Sequence, residues 1–204
     1  MAARDESRRV VIAGHFAFAA AVKSRERTVP LWALMLATQW LDVVFVPLFV
    51  RGIERIQIVS GLHAGYGTGI IYADYTHSLL GALLLAATFG LVSSMHWGRR
   101  AGVVLGGVVF SHWLIDLVVH RSDMPFLPGN MGSLPRVGFG LWRAPIAAGA
   151  LESALVVFGA YLYWRAARDV SKTADRAIVR RANVVGALVL VGGFVVLAMD
   201  VLGI

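Results

Sequence analysis

The sequence contains no cysteine and few charged residues. Without cysteine the protein can form neither disulfide bonds nor thiolate metal sites, so imidazole and carboxylate groups are the remaining candidate metal ligands. Charged residues make up 15% of the chain, whereas hydrophobic residues make up 58%, and the mean hydropathy is +0.71. This balance excludes an ordinary water-soluble domain and indicates an integral membrane protein.

The basic residues do not indicate a nucleic-acid-binding protein, although the formal net charge is +7. They lie in the short stretches between apolar runs, where Lys and Arg set the topology of membrane helices and meet anionic headgroups. A nucleic-acid site would concentrate them on one face beside residues that read bases. The expected partner is therefore membrane lipid and not nucleic acid.

Several apolar runs of about 20 residues are long enough to cross a hydrocarbon core of about 30 Å. The sequence therefore predicts an all-α fold, a polytopic membrane bundle of about five to six transmembrane helices in a single integral membrane domain over residues 1–204. Two long loops, at about 51–74 and 121–144, contain turn residues such as those of 65-GYGTG-69, and Gly98 lies in a hairpin connection. The predicted helices are 10–22, 31–50, 75–96, 101–120, 145–165 and 182–202.

The distribution of Lys and Arg predicts an orientation. With six crossings, eight of the 19 basic residues lie on the side of the two long loops and eleven lie on the opposite side. Basic residues accumulate in cytoplasmic loops, so the side with eleven is the expected cytoplasmic side. The two long loops, and any site beneath them, are then expected on the non-cytoplasmic side.

His112, Asp116 and His120 recur at every fourth residue of the predicted fourth helix and therefore share one of its faces. No Lys or Arg lies inside this helix, and a carboxylate in the bilayer core costs about 2.5–3.5 kcal/mol, so Asp116 must face a polar partner, water or a metal ion. His112 and His120 are separated by a rise of about 12 Å and cannot share one ion. Neighbouring pairs can, and Asp116 could bridge two ions.

Other polar residues of the apolar segments fall at the same depth. His15, Asp42, His77 and Glu152 all lie toward the side of the two long loops when successive helices alternate in direction. Protonation, trapped water or a divalent cation could compensate the buried carboxylates, and a cation accounts for both residue types. We expect one or two ions, of zinc or a similar metal. The expected metal ligands are His15, Asp42, His77, His112 and Asp116, and the expected catalytic acid–base groups are Glu152, His120 and Asp123.

Four segments resemble a known family, the bacterial inner-membrane predicted metal-dependent hydrolases of the YdjM-like group. The resemblance covers most of residues 14–152 and implies a metal-dependent hydrolase of the inner membrane. The segments are 14-GHF-16, 39-QWLD-42, 75-YTHSLLGAL-83 and 110-FSHWLIDLVVHRSDMP-125.

Three functions fit these residues. The first is a membrane-embedded metallohydrolase that cleaves an ester or phosphoester of a lipidic substrate, with Arg121, Arg136 and Arg143 available to hold a phosphate. The second is a proton or metal-ion transporter that uses the His/Asp cluster, and the third is a non-enzymatic membrane subunit held together by that cluster. Clustering at one depth favours the hydrolase over the transporter.

Overall fold

The computed structural model describes residues 13–58, 69–171 and 176–202, most of which are helical. The predicted all-α class is confirmed at this level. The helices are α1 (Ala13–Lys23), α2 (Leu31–Thr38), α3 (Trp40–Val50), α4 (Leu79–Val119), α5 (Pro145–Ser171) and α6 (Arg176–Leu202).

Within the described residues, two helical segments are long and apolar enough to cross a membrane, Leu79–Val119 and Pro145–Asp169. The count rises to three if α2 and α3, which meet at a bend of 48°, form one broken span. The structure therefore supports membrane association but not the predicted five to six spans. Predicted helix two is interrupted at Gln39, whose φ of −105° and ψ of 5° lie outside the helical range and separate two short helices.

α4 consists of two antiparallel arms, residues 79–97 and 99–119, joined at Gly98. Gly98 has a φ of 82° and a ψ of 165°, a conformation that glycine adopts without a Cβ clash. The backbone of Gly90 in the first arm closely approaches Gly102 and Gly106 in the second arm. This confirms the hairpin connection predicted at Gly98. It also brings the start of the first arm beside the end of the second.

Substitution of Gly102 by alanine is expected to destabilise this hairpin. A Cβ atom there would lie 2.5 Å from the carbonyl oxygen of Gly90 and 2.6 Å from Cβ of Ser94, so the arms would have to separate. Overpacking of this kind costs about 1–3 kcal/mol.

Gly107 is the matched control, because a Cβ atom at that position meets nothing within 4 Å and alanine is the better helix former. Thermal unfolding in detergent should give a lower Tm for Gly102→Ala and an equal or higher Tm for Gly107→Ala. Identical Tm values for both variants and the wild type would contradict the close packing of the arms.

α1 packs against α5 through small residues. A Cβ atom on Gly159 would lie 2.2 Å from the carbonyl oxygen of Ala17, and Ala17, Ala19 and Ala20 are almost completely buried. Small side chains allow the two helix backbones to approach closely. This approach holds His15 of α1 in the interior, where it contacts the second arm of α4.

The two stretches predicted as long loops, together with residues 75–78 and 120 of predicted helices three and four, form a cover over one end of the helices. Its described residues are 51–58, 69–78 and 120–144. The first stretch contains an antiparallel pair of strands, β1 (Arg55–Ile58) and β2 (Gly69–Tyr72), where the sequence predicted an irregular loop. Ile56 pairs with Ile71 across these strands. Most of the predicted turn at 65–69 lies outside the described residues. The strands escaped prediction because four-residue segments carry too little alternation to be recognised.

The second stretch of the cover is fastened to the first. Met124 and Val137 form an antiparallel bridge within it. Arg136 donates hydrogen bonds to both carboxylate oxygens of Asp74, at 2.6 and 3.1 Å, and to the carbonyl oxygen of Asp123 at 2.7 Å. The hydrogen bonds to Asp74 raise the pKa of Arg136 above its usual value. The cover is thus held by a charge-assisted pair.

Candidate metal centre

His77 lies in the turn before α4, where the sequence predicted the first turn of the helix. The helix begins at Leu79 because Ser78 is its N-cap, and the Ser78 hydroxyl accepts a hydrogen bond from the N–H of Gly81 at 3.0 Å. The indole N–H of Trp113 donates to the carbonyl oxygen of His77 at 2.9 Å. This bond fixes the turn to the second arm of α4.

Three side-chain atoms from this turn and the second arm form a nearly equilateral triangle. Oδ2 of Asp116 lies 3.1 Å from Nε2 of His112 and 3.4 Å from Nε2 of His77. The two Nε2 atoms are 3.3 Å apart. All three residues are buried. The triangle is therefore shielded from bulk water.

The edges of this triangle match the spacing of ligand atoms around a small divalent cation. Bonds of about 2.0–2.2 Å at tetrahedral angles place neighbouring ligand atoms about 3.3–3.6 Å apart. Imidazole and carboxylate without thiolate suit zinc and other first-row divalent cations. The residues present therefore fit such an ion with small adjustments.

Asp42 reaches the same point from the first turn of α3. Its Oδ1 atom lies 3.5 Å from Nε2 of His77, and its Oδ2 atom lies 3.7 Å from Nε2 of His112. Oδ2 is buried and makes no hydrogen bond to the described residues. A buried carboxylate oxygen in that condition is available as a ligand atom.

His15 contacts the other oxygen of Asp116. Nε2 of His15 lies 3.3 Å from Oδ1 of Asp116, and the His15 ring stacks on the His112 ring with centroids 4.0 Å apart. The structure thus brings together all five predicted ligands, which we call the His/Asp cluster. Its members are His15, Asp42, His77, His112 and Asp116.

Hydrogen bonds outside the cluster orient two of the imidazoles. Nδ1 of His112 lies 2.5 Å from the carbonyl oxygen of Thr38, and Nδ1 of His77 lies 2.9 Å from the hydroxyl oxygen of Thr76. With a proton on each Nδ1, both Nε2 lone pairs face the carboxylates. Two such lone pairs 3.3 Å apart repel each other unless a proton or a cation lies between them.

The geometry favours one ion over two. In the part of the chain that the structure describes, two sets of residues could hold a metal ion, His15 with His112 and Asp116, and Asp42 with His77 and His112. His112 belongs to both sets. Because its Nδ1 is directed at a backbone carbonyl, His112 has one nitrogen to offer and can serve one ion.

No Lys or Arg in the described part of the chain forms an ion pair with the cluster carboxylates. If the imidazoles are neutral, the two buried carboxylates leave net negative charge in a medium where each desolvated ion costs several kcal/mol. A divalent cation compensates both carboxylates at once. Among the described residues, the ion-pair partners of Asp42 and Asp116 are His15, His77, His112 and His120.

His120 and Asp123 form a pair at the edge of the cluster. Nδ1 of His120 lies 3.0 Å from Oδ1 of Asp123, and the other Asp123 oxygen accepts the N–H of Ile71 at 3.1 Å. Nε2 of His120 lies 3.8 Å from Oδ2 of Asp116, farther than Nε2 of either His77 or His112. His120 therefore presents Nε2 beside the cluster while Asp123 holds the other nitrogen.

A small cavity adjoins the cluster. It has about 20 Å³ of space for water-sized molecules, which is enough for one water. One part of its wall is polar and the other is apolar, and the strands of the cover contribute to the apolar part. The cavity is lined by Asp42, Phe45, Ile56, Ile71, His77, Asp116, His120 and Trp142.

Glu152 is not among the residues that line this cavity. It is buried on α5, where it faces α1, because a Cβ atom on Gly14 would lie 3.9 Å from its Cγ atom. Of the three predicted acid–base groups, the structure places His120 in the cavity wall and Asp123 against His120. Glu152 lies on α5 and does not contribute to the cavity wall.

The groups that orient the imidazoles were not predicted from the sequence. Thr38 acts through its backbone carbonyl, which no side-chain pattern reveals. Glu54 is completely buried and contacts Thr76, yet in the sequence it lies between arginines and is typical of a solvated loop. The feature of the sequence that could have indicated such a group is Thr76, whose hydroxyl directly precedes His77.

The fold and the site define a class of protein, mostly helical, with membrane-length apolar helices and a buried His/Asp cluster that could hold a metal ion. Comparison of the chain with protein-family models, curated proteins and solved structures found no match in any of the three. The function is therefore inferred from the geometry of the site.

Proposed function

We propose that this protein is a membrane-embedded, metal-dependent hydrolase of the bacterial inner membrane, which cleaves an ester or phosphoester of a lipidic substrate. The observation that carries the proposal is the triangle of His77, His112 and Asp116, whose edges of 3.1–3.4 Å suit one zinc-type cation. Membership of the YdjM-like predicted hydrolases, expected from the four segments within residues 14–152, is part of this proposal, although no family model matches the chain.

In this proposal His77, His112, Asp116 and Asp42 hold the cation, and His15 braces the second oxygen of Asp116. When bound, the cation supplies Lewis-acid polarisation of the scissile group and acidifies a water molecule. The chain supplies a buried site of net negative charge with room for one water beside it.

His120 is the proposed proton acceptor. Its Nδ1 proton is held by Asp123, so Nε2 carries the lone pair that can take a proton in the cavity. Asp123 orients the ring and stabilises the imidazolium that forms after proton transfer. Because His120 lines the cavity and Glu152 does not, the geometry favours His120 over Glu152 for this role.

A lipidic substrate suits the surroundings of the cluster. Phe45, Ile56 and Ile71 give the cavity an apolar wall, and apolar helices of membrane length flank the site. Both terminal nitrogens of Arg136 donate hydrogen bonds to Asp74. A phosphate group of the substrate would therefore be bound by Arg121 or Arg143 of the cover.

The proposed orientation places the cover and the cluster on the non-cytoplasmic side of a multi-pass protein. It rests on the distribution predicted for six crossings, in which eleven of the 19 basic residues lie on the opposite side, whereas the described part of the chain supports two or three spans. A substrate would then reach the site from the outer leaflet of the inner membrane.

A structural metal cluster in a non-enzymatic subunit is the second candidate function. It is favoured by the small volume of the cavity, since the same ligands would tie α1, α3 and α4 together. A transport function has less support. The second arm of α4 buries the apolar residues Leu105, Val108 and Val109 between the cluster and Gly98, and these side chains carry no protons or ions.

Metal removal tests the proposed function. The purified protein in nanodiscs would be assayed against a panel of lipid esters and phosphoesters, before and after chelation. We expect hydrolysis of one class to fall by about 100-fold or more on chelation and to return with added zinc.

His96→Ala is the control variant, because His96 is exposed near the far end of the first arm of α4 and should leave this behaviour unchanged. Hydrolysis that resists chelation would contradict the metal mechanism. Full zinc content without hydrolysis of any class would favour the structural cluster.

A further inference from the structure

Glu54 is a buried carboxylate that lies outside the His/Asp cluster, between α3 and β1. Its Oε1 atom accepts the backbone N–H groups of Tyr75 and Thr76, each at 2.8 Å. The Thr76 hydroxyl oxygen lies 3.1 Å from Oε1 and 3.0 Å from Oε2. These contacts are all made to the two residues immediately before His77.

The Thr76 hydroxyl links Glu54 to His77. A hydroxyl has one proton to donate, and an ionised carboxylate can only accept. The Thr76 proton is therefore directed at Glu54, and the hydroxyl oxygen is left to accept from Nδ1 of His77 at 2.9 Å. It follows that Nδ1 carries a proton, so that the neutral His77 ring presents its Nε2 lone pair to the cluster.

We propose that Glu54 is a positioning residue of the metal centre, which acts through Thr76 to hold His77 in the tautomer that leaves Nε2 able to bind the cation. This inference rests on the proposed function, because it names the residue that orients His77, one of the proposed metal ligands. His112 is oriented differently, because the carbonyl of Thr38 can only accept a hydrogen bond. The orientation of His77, in contrast, depends on the Glu54 and Thr76 side chains, which can be changed by substitution.

The substitution Glu54→Gln is expected to reverse the relay. Two backbone N–H groups hold Oε1, so the amide oxygen of glutamine takes that place and the amide NH₂ takes the place of Oε2, 3.0 Å from the Thr76 hydroxyl. The amide then donates to Thr76, and the Thr76 proton turns to Nδ1 of His77. This arrangement favours a proton on Nε2, which blocks the ligand atom.

Zinc binding to the full chain, measured by competition with a chromophoric chelator, tests the relay. We expect Glu54→Gln to bind zinc about 10–100-fold more weakly than the wild type, as is typical when a group that orients a ligating histidine is lost. Thr76→Val should show a similar loss because it removes the hydroxyl. Thr76→Ser keeps the hydroxyl and should bind zinc within about twofold of the wild type.

A double-mutant cycle with His77→Ala separates positioning from a general loosening of the structure. Because Glu54 acts through His77, adding Glu54→Gln to His77→Ala should weaken zinc binding no further. Wild-type affinity in Glu54→Gln, or an equal additional loss in the His77→Ala background, overturns the inference. If Glu54→Gln does not fold, the pair Thr76→Val and Thr76→Ser decides by the same comparison.

The outcomes also distinguish this inference from the proposed function. A wild type and a Glu54→Gln variant that bind zinc equally well leave the metal centre standing and overturn the relay alone. A wild type that binds no zinc overturns both. Weak binding by Glu54→Gln with rescue in Thr76→Ser supports the relay, even where no lipid ester or phosphoester is cleaved.

Discussion

Replacement of Asp116 by asparagine is expected to remove the metal from the protein. Oδ2 of Asp116 lies 3.1 Å from Nε2 of His112 and 3.4 Å from Nε2 of His77, and Oδ1 lies 3.3 Å from Nε2 of His15, so this one carboxylate lies within 3.4 Å of three imidazoles. Asparagine keeps the volume but removes a negative charge from a buried site, and we expect zinc affinity to fall by more than about 100-fold. Elemental analysis should find about one equivalent of zinc in the wild type and less than about a tenth in the variant.

Glu26→Gln is the matched control for this loss of charge. Glu26 is also a buried carboxylate, but it lies in the turn after α1 and pairs with Arg100 at 3.1 Å, away from the cluster. Its substitution should leave the zinc content at the wild-type value, whereas His112→Ala should lose zinc as Asp116→Asn does. Equal zinc in Asp116→Asn and the wild type would contradict the assignment of Asp116 as a ligand.

The centre of the site could be predicted from spacing within one helix. His112 and Asp116 are four residues apart, and a regular helix places such residues on one face whatever surrounds it. The structure sets their ligand atoms 3.1 Å apart. The same rule placed His120 farther along that face, and it lies at the edge of the cluster with Asp123.

The convergence of His15, Asp42 and His77 required a second argument, that of common depth in a membrane. Successive membrane helices run in opposite directions, so residues near the start of one helix lie at the same side of the membrane as residues near the end of the next. The structure places all three residues beside Asp116 or His112. Depth alone cannot give the order of helices around the site. The stacking of His15 on His112 was therefore not predictable.

The cover could not be predicted, because its structure depends on contacts between distant residues. β1 and β2 are four residues long and pair across a gap in sequence, and Arg136 reaches back to Asp74. Local composition at these positions shows glycine, proline and charge, which are equally typical of an irregular loop. The burial of Glu54 arises from the same long-range contacts.

The number of spans was predicted from hydropathy alone, and the break at Gln39 accounts for the outcome at predicted helix two. Hydropathy counts apolar residues and is insensitive to the interruption at Gln39, which divides predicted helix two into segments of 8 and 11 residues. Each is too short to cross a bilayer by itself, since a span needs about 20 residues. The bend places Asp42 in the first turn of α3, where its carboxylate reaches His77.

Replacement of His120 by glutamine is expected to lower kcat for the proposed hydrolysis by about 10²–10⁴-fold, the range for loss of a general base. Nε2 of His120 lies 3.8 Å from Asp116, outside the triangle of closest ligand atoms, so zinc content should stay near that of the wild type. Kinetic assays and elemental analysis on the same preparation separate the two effects. Asp123→Asn, which weakens the hydrogen bond that orients His120, should lower kcat by about 10–100-fold.

Glu152→Gln provides the comparison that decides between the two proton acceptors. Glu152 is buried on α5 outside the cavity wall, so its substitution should lower kcat by less than about tenfold. If Glu152→Gln instead lost as much activity as expected for His120→Gln, while His120→Gln retained it, the general base would lie on α5. Loss of zinc in His120→Gln would make His120 a ligand, because a base beside the metal can be removed without releasing it whereas a ligand cannot.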